Sequence, residues 1–392
     1  MVGGSPAGGR RLRVAHLTTV DMSLEWLLAT ELAFDVEQGF EVFGISAPGP
    51  HVAAVEALGV THVPVPSFSR SWNLRLDAGA ARELWGLLRR LRLDVLHTHT
   101  PKAGVLGRVL GRAARVPVVV DTCHGLWVRE GGPWAKRAVV LGIEGVASRF
   151  AHYELYQNDD DRRALRRFVP GTRSRTVGNG VDLARFRFDQ AGRDAVRAAW
   201  GVAPGDLLVG GVGRVVAEKG VSELAEAARA LAGRARFVWV GPDDAGGVPS
   251  AAPGRPRSLA DVTGLDLVGP RADMEVVYSA FDVFALPSYR EGFSRSAMEA
   301  AACGRPMVLS DIRGCREIGR HDVDLLMVPP RDAGALTTAL DRLLDDGPLR
   351  DRLGASAARR AQDQFDQRRV AAASVETYRL VAARRGLGWD AA

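Results

Sequence analysis

Short runs of aliphatic and β-branched residues recur along the chain, and each is followed by a stretch whose apolar residues fall at helical spacing. This alternation constrains the fold more than any other feature. A strand, a helix and a second strand in succession build a parallel sheet, and a parallel sheet has to be covered on both faces. Strands are predicted over residues 12–17, 41–45, 95–99 and 116–121, with helical spacing over 24–34 and 81–91 between them. The series begins again with strands over 207–212, 236–240, 265–268, 283–286 and 307–310. The fold class expected is therefore α/β, with two Rossmann-like doubly wound domains facing a central cleft. A length of 392 residues fits that count, since one domain usually takes roughly 100–200 residues. The turn at Gly178-Asn179-Gly180 marks the junction, giving an N-terminal domain of residues 1–185 and a C-terminal domain of 186–364. The helical, charged end, about 365–392, is expected to pack back on the first domain.

Composition narrows the class. With 46% hydrophobic and 25% charged residues, the chain has enough apolar side chains for two cores, and disorder is excluded for most of it. A Gly, Pro and Ala-rich stretch over 245–256 reads as a mobile loop. Cys123, Cys303 and Cys315 are odd in number and lack CxxC spacing, which argues against a disulfide framework or a thiolate zinc site and suits a reducing, cytoplasmic compartment. The first residues lead directly into a predicted strand and are not read as a signal peptide, and no run is long enough to span a bilayer. Net charge is +6, and residues 1–185 hold 24 Lys and Arg against 18 Asp and Glu, whereas 186–392 hold 28 of each. A basic first half suits an anionic partner such as the inner membrane face or a lipid diphosphate, and equally suits an arginine-rich solvated surface.

The strongest local feature is Tyr289-Arg290-Glu291-Gly292-Phe293-Ser294-Arg295-Ser296, continuing through Glu299 to Ala301. It follows a predicted strand and the breaker Pro287-Ser288, and it opens a helix that stops at Gly304-Arg305-Pro306. A helix N-terminus at the carboxyl edge of a sheet binds phosphate. Glu291 precedes that terminus and Glu299 lies about two turns inside, so the two carboxylates are placed to accept hydroxyls at opposite ends of one elongated ligand. An acid complementing the helix dipole, with a solvated glutamate beyond it, is the simpler alternative.

A second feature, Gly210-Gly211-Val212-Gly213-Arg214-Val215-Val216-Ala217-Glu218-Lys219-Gly220, also follows a strand and brings two cations near one strand end, where a diphosphate needs neutralising. It is not a dinucleotide fingerprint, because Val216 occupies the third glycine position. In the first half, His97 and His99 end one strand and His124-Gly125 ends the next. Carboxyl ends of parallel strands are where open α/β sheets bind ligands. His97 reads as a core histidine and His124 as functional, and a metal site from His97 and His99 is not expected because no third ligand is suggested nearby. Two DxD patterns, Asp322-Val323-Asp324 and Asp159-Asp160-Asp161, are discounted as a turn and a helix start.

Together these residues resemble glycosyltransferase family 4, the retaining GT-B enzymes, whose hallmark is a pair of glutamates such as Glu291 and Glu299. The resemblance extends over His97 to Gly104, His124-Gly125, Gln157 to Asp160, Gly178 to Asp182, Gly213-Arg214, Glu218 to Gly220 and Pro287 to Pro306, in the same order over nearly the whole chain. Arg290 to Ser296, with Ser310 to Glu317, is similar to the branch that builds bacterial surface polysaccharides. The resemblance implies a donor site of Gly213, Arg214, Lys219, Glu291, Gly292, Phe293, Ser294 and Glu299, in which Arg214 and Lys219 hold the diphosphate, Glu299 the ribose and Glu291 the transferred sugar. It implies that His124 touches that sugar from across the cleft, and that His99 and Lys102 lie nearer the acceptor. His124, Glu291, Arg214 and Lys219 are then the catalytic set, acting by front-face attack of the acceptor on a departing diphosphate, with neither cofactor nor metal.

The implied partners are a nucleotide diphosphate sugar, with uridine preferred, and a lipid-linked or soluble sugar acceptor, with peripheral contact to anionic membrane and without nucleic acid. GDP-mannose is the alternative donor. An epimerase on the same fold and a non-catalytic nucleotide-sugar-binding subunit are the alternatives of other classes. One departure stands out: residues 18–23, Thr-Thr-Val-Asp-Met-Ser, replace the glycine-rich loop that follows the first strand in many relatives.

Overall fold

The computed structural model describes residues 10–69, 71, 73–127, 133–242 and 264–389. The stretch 245–256 read as a mobile loop lies outside them. The chain divides into two compact units, one running up to Val177 and resumed from Gln367, the other spanning Gly178–Asp366. In the first unit seven parallel strands, β1 (Arg13–Val20), β2 (Glu41–Ala47), β3 (Thr61–Pro64), β4 (Val95–Thr98), β5 (Val118–Cys123), β6 (Tyr153–Tyr156) and β7 (Ser174–Thr176), lie in the order β3-β2-β1-β4-β5-β6-β7. In the second, β8 (Leu208–Val212), β9 (Arg236–Val240), β10 (Asp266–Gly269), β11 (Val283–Leu286), β12 (Met307–Ser310) and β13 (Leu326–Val328) lie in the order β10-β9-β8-β11-β12-β13, again parallel.

The strand order reverses between β1 and β4 and between β8 and β11. Loops leaving two such strands turn to opposite faces and open a crevice at their carboxyl ends, so each unit has one place where the topology itself makes a binding site. Every strand predicted from the sequence is present. Four others were not predicted, and β6 shows why: Glu154 interrupts its apolar run, and that carboxylate is buried against Arg108 rather than facing water.

Packing accounts for two further features. The leucine stripe of the helix Leu74–Leu91 lies on the first sheet, with Leu84 and Leu88 buried beside Leu17 and Leu96. On the other face of that sheet the C-terminal helix Gln367–Arg384 places Val375, Tyr378 and Val381 against Val14, Val95, Val118 and Val120. The segment 18–23 is not a loop. β1 runs to Val20 and passes directly into the helix Asp21–Glu37, whose first-turn Asp21 complements the helix N-terminus and accepts the His51 backbone N–H at 2.7 Å.

Candidate active site

In the second unit the two motif loops leave adjacent strands. β8 leads through Gly213, at φ 150°, into a single helical turn at Ala217–Lys219 and then Gly220, at φ 72°, which starts the helix Val221–Ala230. β11 leads through Pro287 into the Glu291 loop and the helix Arg295–Ala302, whose N-cap Ser294 accepts the Ala297 N–H. A Cβ on Gly220 would stand 2.1 Å from the Pro287 carbonyl oxygen, so glycine is what lets the loops approach. The Tyr289 N–H donates to the Glu218 carbonyl at 2.8 Å. Gly210 and Gly211 play a different part. They lie inside β8 beneath the rings of Phe281 and Trp239, where any Cβ would come within 2.4 Å of an aromatic carbon, so their smallness serves packing rather than a ligand.

The approach of these loops pairs Lys219 Nζ with Glu291 Oε1 at 2.7 Å, with side chains only 22% and 11% exposed. Gly314, after β12, supports the glutamate from behind: a Cβ there would meet the Glu291 carbonyl oxygen at 2.5 Å. Glu299 lies one helical stretch further in, accepting Tyr278 Oη–H at 2.8 Å and Arg295 Nε–H at 3.1 Å. Burial pushes its carboxyl above the usual range, opposed by Arg295 and Tyr278. Two accepted bonds leave lone pairs for further hydroxyls. Arg214 is exposed on the same strand-end loop. The arrangement unites cations, carboxylates and first-turn amides at one sheet edge, which suits a ligand carrying both phosphate and hydroxyls.

In the first unit the carboxyl edge carries a row of imidazoles. His16 on β1 bonds His99, just past β4, between Nδ1 and Nε2 at 3.1 Å, and His99 Nδ1 bonds His124 Nε2, just past β5, at 2.9 Å. The row ends at Asp35, 3.0 Å from His16 Nε2, and at the Gln157 amide nitrogen, 2.9 Å from His124 Nδ1. An imidazole with one hydrogen bond spans nearly the gap between neighbouring strands, so rings on β1, β4 and β5 join without strain. Desolvation holds His124 down at about 4 and, with neighbouring rings, keeps His97 and His99 well below the ordinary histidine value. His124 borders a pocket of about 40 Å³ lined also by Thr100, Asp121, Gly125 and Trp127.

Of the two residues expected nearer the acceptor, His99 is fully buried with both nitrogens bonded, and the Lys102 side chain is 4% exposed and paired with Asp77 at 2.6 Å. The fold also supplies what the spacing of His97 and His99 did not, since His16 and Glu31 place donor atoms within 4.8 Å of theirs. Each ring nitrogen of His16, His97 and His99 is nonetheless engaged, His97 with Tyr378 Oη and Thr122 Oγ1 at 2.7 Å each. These contacts form a hydrogen-bond network. The DxD pairs carry local structure: Asp161 accepts the Leu126 N–H, and Asp324 accepts Ser356 Oγ–H at 2.7 Å.

Sequence reasoning missed His16, Asp35, Tyr278 and Tyr378. No local pattern marks them, because each meets its partner through the fold. Gln157 was the one visible signal, standing inside a matched segment without a role.

Comparison with known proteins agrees with this architecture. Residues 28–185 match the family model Glycosyltransferase Family 4 and residues 206–346 the model Glycosyl transferases group 1. A D-inositol 3-phosphate glycosyltransferase of Saccharomonospora viridis is 30% identical over 371 residues, 88% of this chain and 84% of its own. UDP-Gal:alpha-D-GlcNAc-diphosphoundecaprenol alpha-1,3-galactosyltransferase of Escherichia coli is 28% identical over 73% of this chain and 75% of its own. The crystal structure of Anabaena HepE in complex with UDP-glucose superposes with a TM-score of 0.74 at 19% identity, covering 96% of this chain and all of that one. The chain has the GT-B fold of two Rossmann-like domains and belongs to glycosyltransferase family 4.

Proposed function

We propose that this glycosyltransferase moves a hexosyl or N-acetylhexosaminyl group, with retention of configuration, from a UDP-sugar to a lipid-linked or saccharide acceptor in cell-surface glycan synthesis. The observation that carries the reading is the Lys219–Glu291 pair at the carboxyl edge between β8 and β11, beside the N-terminus of the helix Arg295–Ala302. A diphosphate placed there takes the charge of Lys219 and Arg214 and the first-turn amides. Glu291 is then released to accept hydroxyls of the transferred sugar, while Glu299 accepts those of the ribose. As the sugar bond breaks, negative charge grows on the diphosphate, and the same groups stabilise it more strongly than the ground state. No step requires a metal. The relatives support the donor and acceptor classes: one is named for UDP-galactose and a diphosphoundecaprenol acceptor, and HepE was crystallised with UDP-glucose.

His124 keeps the role that the family resemblance gives it, contact with the transferred sugar. Both its nitrogens are bonded, so a sugar hydroxyl reaches Nδ1 in exchange for the Gln157 amide. The test is calorimetric titration with UDP and with GDP in metal-free buffer, repeated on Glu299→Ala and Lys219→Ala. UDP binding weakened in both variants is expected, and GDP binding alone would point to a mannosyl donor. Failure of a folded protein to bind either nucleotide would sink the donor site. Turnover of UDP-sugar without acceptor would indicate an epimerase.

A further inference from the structure

The row of imidazoles ends in two different ways. At the pocket His124 meets the amide of Gln157, and at the interior, 0% exposed, His16 meets the carboxylate of Asp35. We propose that Asp35 is a remote positioning residue which, through His16 and His99, fixes the ring and tautomer of His124 so that its Nδ1 is a bare acceptor for a sugar hydroxyl. This rests on the reading of His124 as a sugar contact.

Donor and acceptor roles follow from one end to the other. A carboxylate only accepts, so His16 Nε2 carries a proton toward Asp35. The Gln157 amide nitrogen only donates, so His124 Nδ1 is bare and its Nε2–H points at His99 Nδ1. His99 then carries its proton on Nε2 and donates to His16 Nδ1. Every ring is the Nε2–H tautomer and every bond runs the same way, from Gln157 to Asp35. Exchanging Gln157 for a sugar hydroxyl keeps that direction, because a hydroxyl can donate to Nδ1 as the amide does.

Reversal requires a second proton on the His16–Asp35 pair, held on His16 Nε2 or on the Asp35 carboxyl, so that His16 donates from Nδ1, which would bring a proton to His124 Nδ1 and abolish the acceptor. The groups facing the row are Asp35 and Glu31 on the helix Asp21–Glu37, His97 on β4 and Tyr378 on the C-terminal helix. Asp35 Oδ1 and Glu31 Oε1 are buried with no hydrogen-bond partner among the described residues. Burial lowers His16, but its bond to Asp35 and the charges of Asp35 and Glu31 together outweigh this and raise the ring above the ordinary histidine value, while burial raises both acids, Glu31 to about 6, so a proton added near His16 is shared between the ring and the carboxylates. Asp35 therefore decides the direction of the row while lying far from the pocket in sequence and covered by the sheet. The arrangement is that of an oriented imidazole whose distant carboxylate sets the tautomer without itself reacting.

The experiment is imidazole nitrogen NMR on histidine-labelled full-length protein, with His124 assigned by loss of its signals in His124→Gln. The wild type is expected to show His124 as a single Nε2–H tautomer between about pH 6 and 8. In Asp35→Asn, whose side chain can donate as well as accept, that single tautomer is expected to be lost. kcat is expected to fall on the order of tenfold while UDP affinity stays unchanged. A folded Asp35→Asn protein with the His124 tautomer intact overturns the proposal. If that variant does not fold, the wild-type spectrum decides: a fixed Nε2–H form supports the relay, and tautomers averaged on His124 overturn it. The spectrum needs no substrate. A fixed tautomer in a protein that binds no nucleotide would therefore sink the transferase reading and leave the relay standing.

Discussion

The carboxyl edges of the two sheets solve one problem by different means. In the second unit the polar groups come from two loops and are held by backbone contacts: Gly220 under Pro287, Gly314 under Glu291, and the Tyr289 N–H on the Glu218 carbonyl. In the first unit they come from successive strands and are held by one another, side chain to side chain, from Asp35 to Gln157. A site held by backbone leaves glycines and short motifs in the sequence. A site held by side chains leaves scattered histidines whose partners lie 19 to 83 residues away. The first kind should fail sharply when one Cβ is added, the second gradually as single bonds are removed.

The sharpest break is Gly220→Ala. The new Cβ would lie 2.1 Å from the Pro287 oxygen in a backbone conformation, φ 72°, that disfavours any side chain. A cost of about 3 kcal/mol or more is expected from strain and displaced loops together, seen as a large drop in melting temperature with loss of UDP binding. Next comes Lys219→Ala, which removes a cation from Glu291 and from the proposed diphosphate. Charge-assisted bonds contribute about 1.5–3 kcal/mol, so titration should show UDP affinity lower by roughly ten- to a hundredfold. Unchanged affinity would mean that the pair is merely structural.

The first unit's side-chain interior predicts a smaller effect with a definite pH dependence. Arg108 is buried among Asp121, Glu144 and Glu154, and burial pushes the Glu154 carboxyl up to about 8 despite the pull of Arg108. The native state thus keeps a proton that the unfolded carboxyl gives up near its ordinary 4.5. This contribution to stability is complete below that value and is lost as pH rises through about 8. Glu154→Gln keeps an oxygen for Arg108 Nη1 at 3.0 Å and cannot ionise. Its melting temperature should stay level between about pH 7 and 9 while the wild type declines, a difference of about 1–2 kcal/mol at the upper end. Parallel curves would mean that Glu154 is ionised in the native protein throughout.

The same contrast explains what could be read from the sequence. Both sheets were legible because apolar strand runs and helical spacing are local. The Glu291 and Glu299 pair and the Lys219 loop were visible for the same reason. For His99 and Lys102, a place at a strand end and a helix start marks a binding edge but not whether the side chain faces water. Lys102 turns inward to Asp77, and His99 lies between two other rings. Asp35 and Tyr378 gave no signal at all. One sits on a helix whose buried face before it is Asp21 and three leucines, and the other arrives from the C-terminal helix, 281 residues from its partner His97.

Tyr378→Phe makes the smallest change and tests how far the two edges are separate. The ring packs among Val14, Val95, Val118 and Val375, and phenylalanine keeps that packing and the edge contact with His97 at 5.6 Å. Only the hydroxyl is lost, together with its 2.7 Å bond to His97 Nδ1, which leaves that nitrogen facing Glu31 Oε1 at 3.4 Å. A buried bond of this kind contributes about 1 kcal/mol, and Glu31, raised to about 6, can supply a replacement proton when the pH is low enough. The melting temperature should therefore fall by about 2–4 °C at neutral pH and by less as the pH drops below about 6. UDP affinity should not move, because every group proposed to hold the nucleotide belongs to the second unit. A fall in UDP affinity in this variant would show that the histidine row and the loop site act on one another, and the distinction between an edge held by backbone and an edge held by side chains would have to be redrawn.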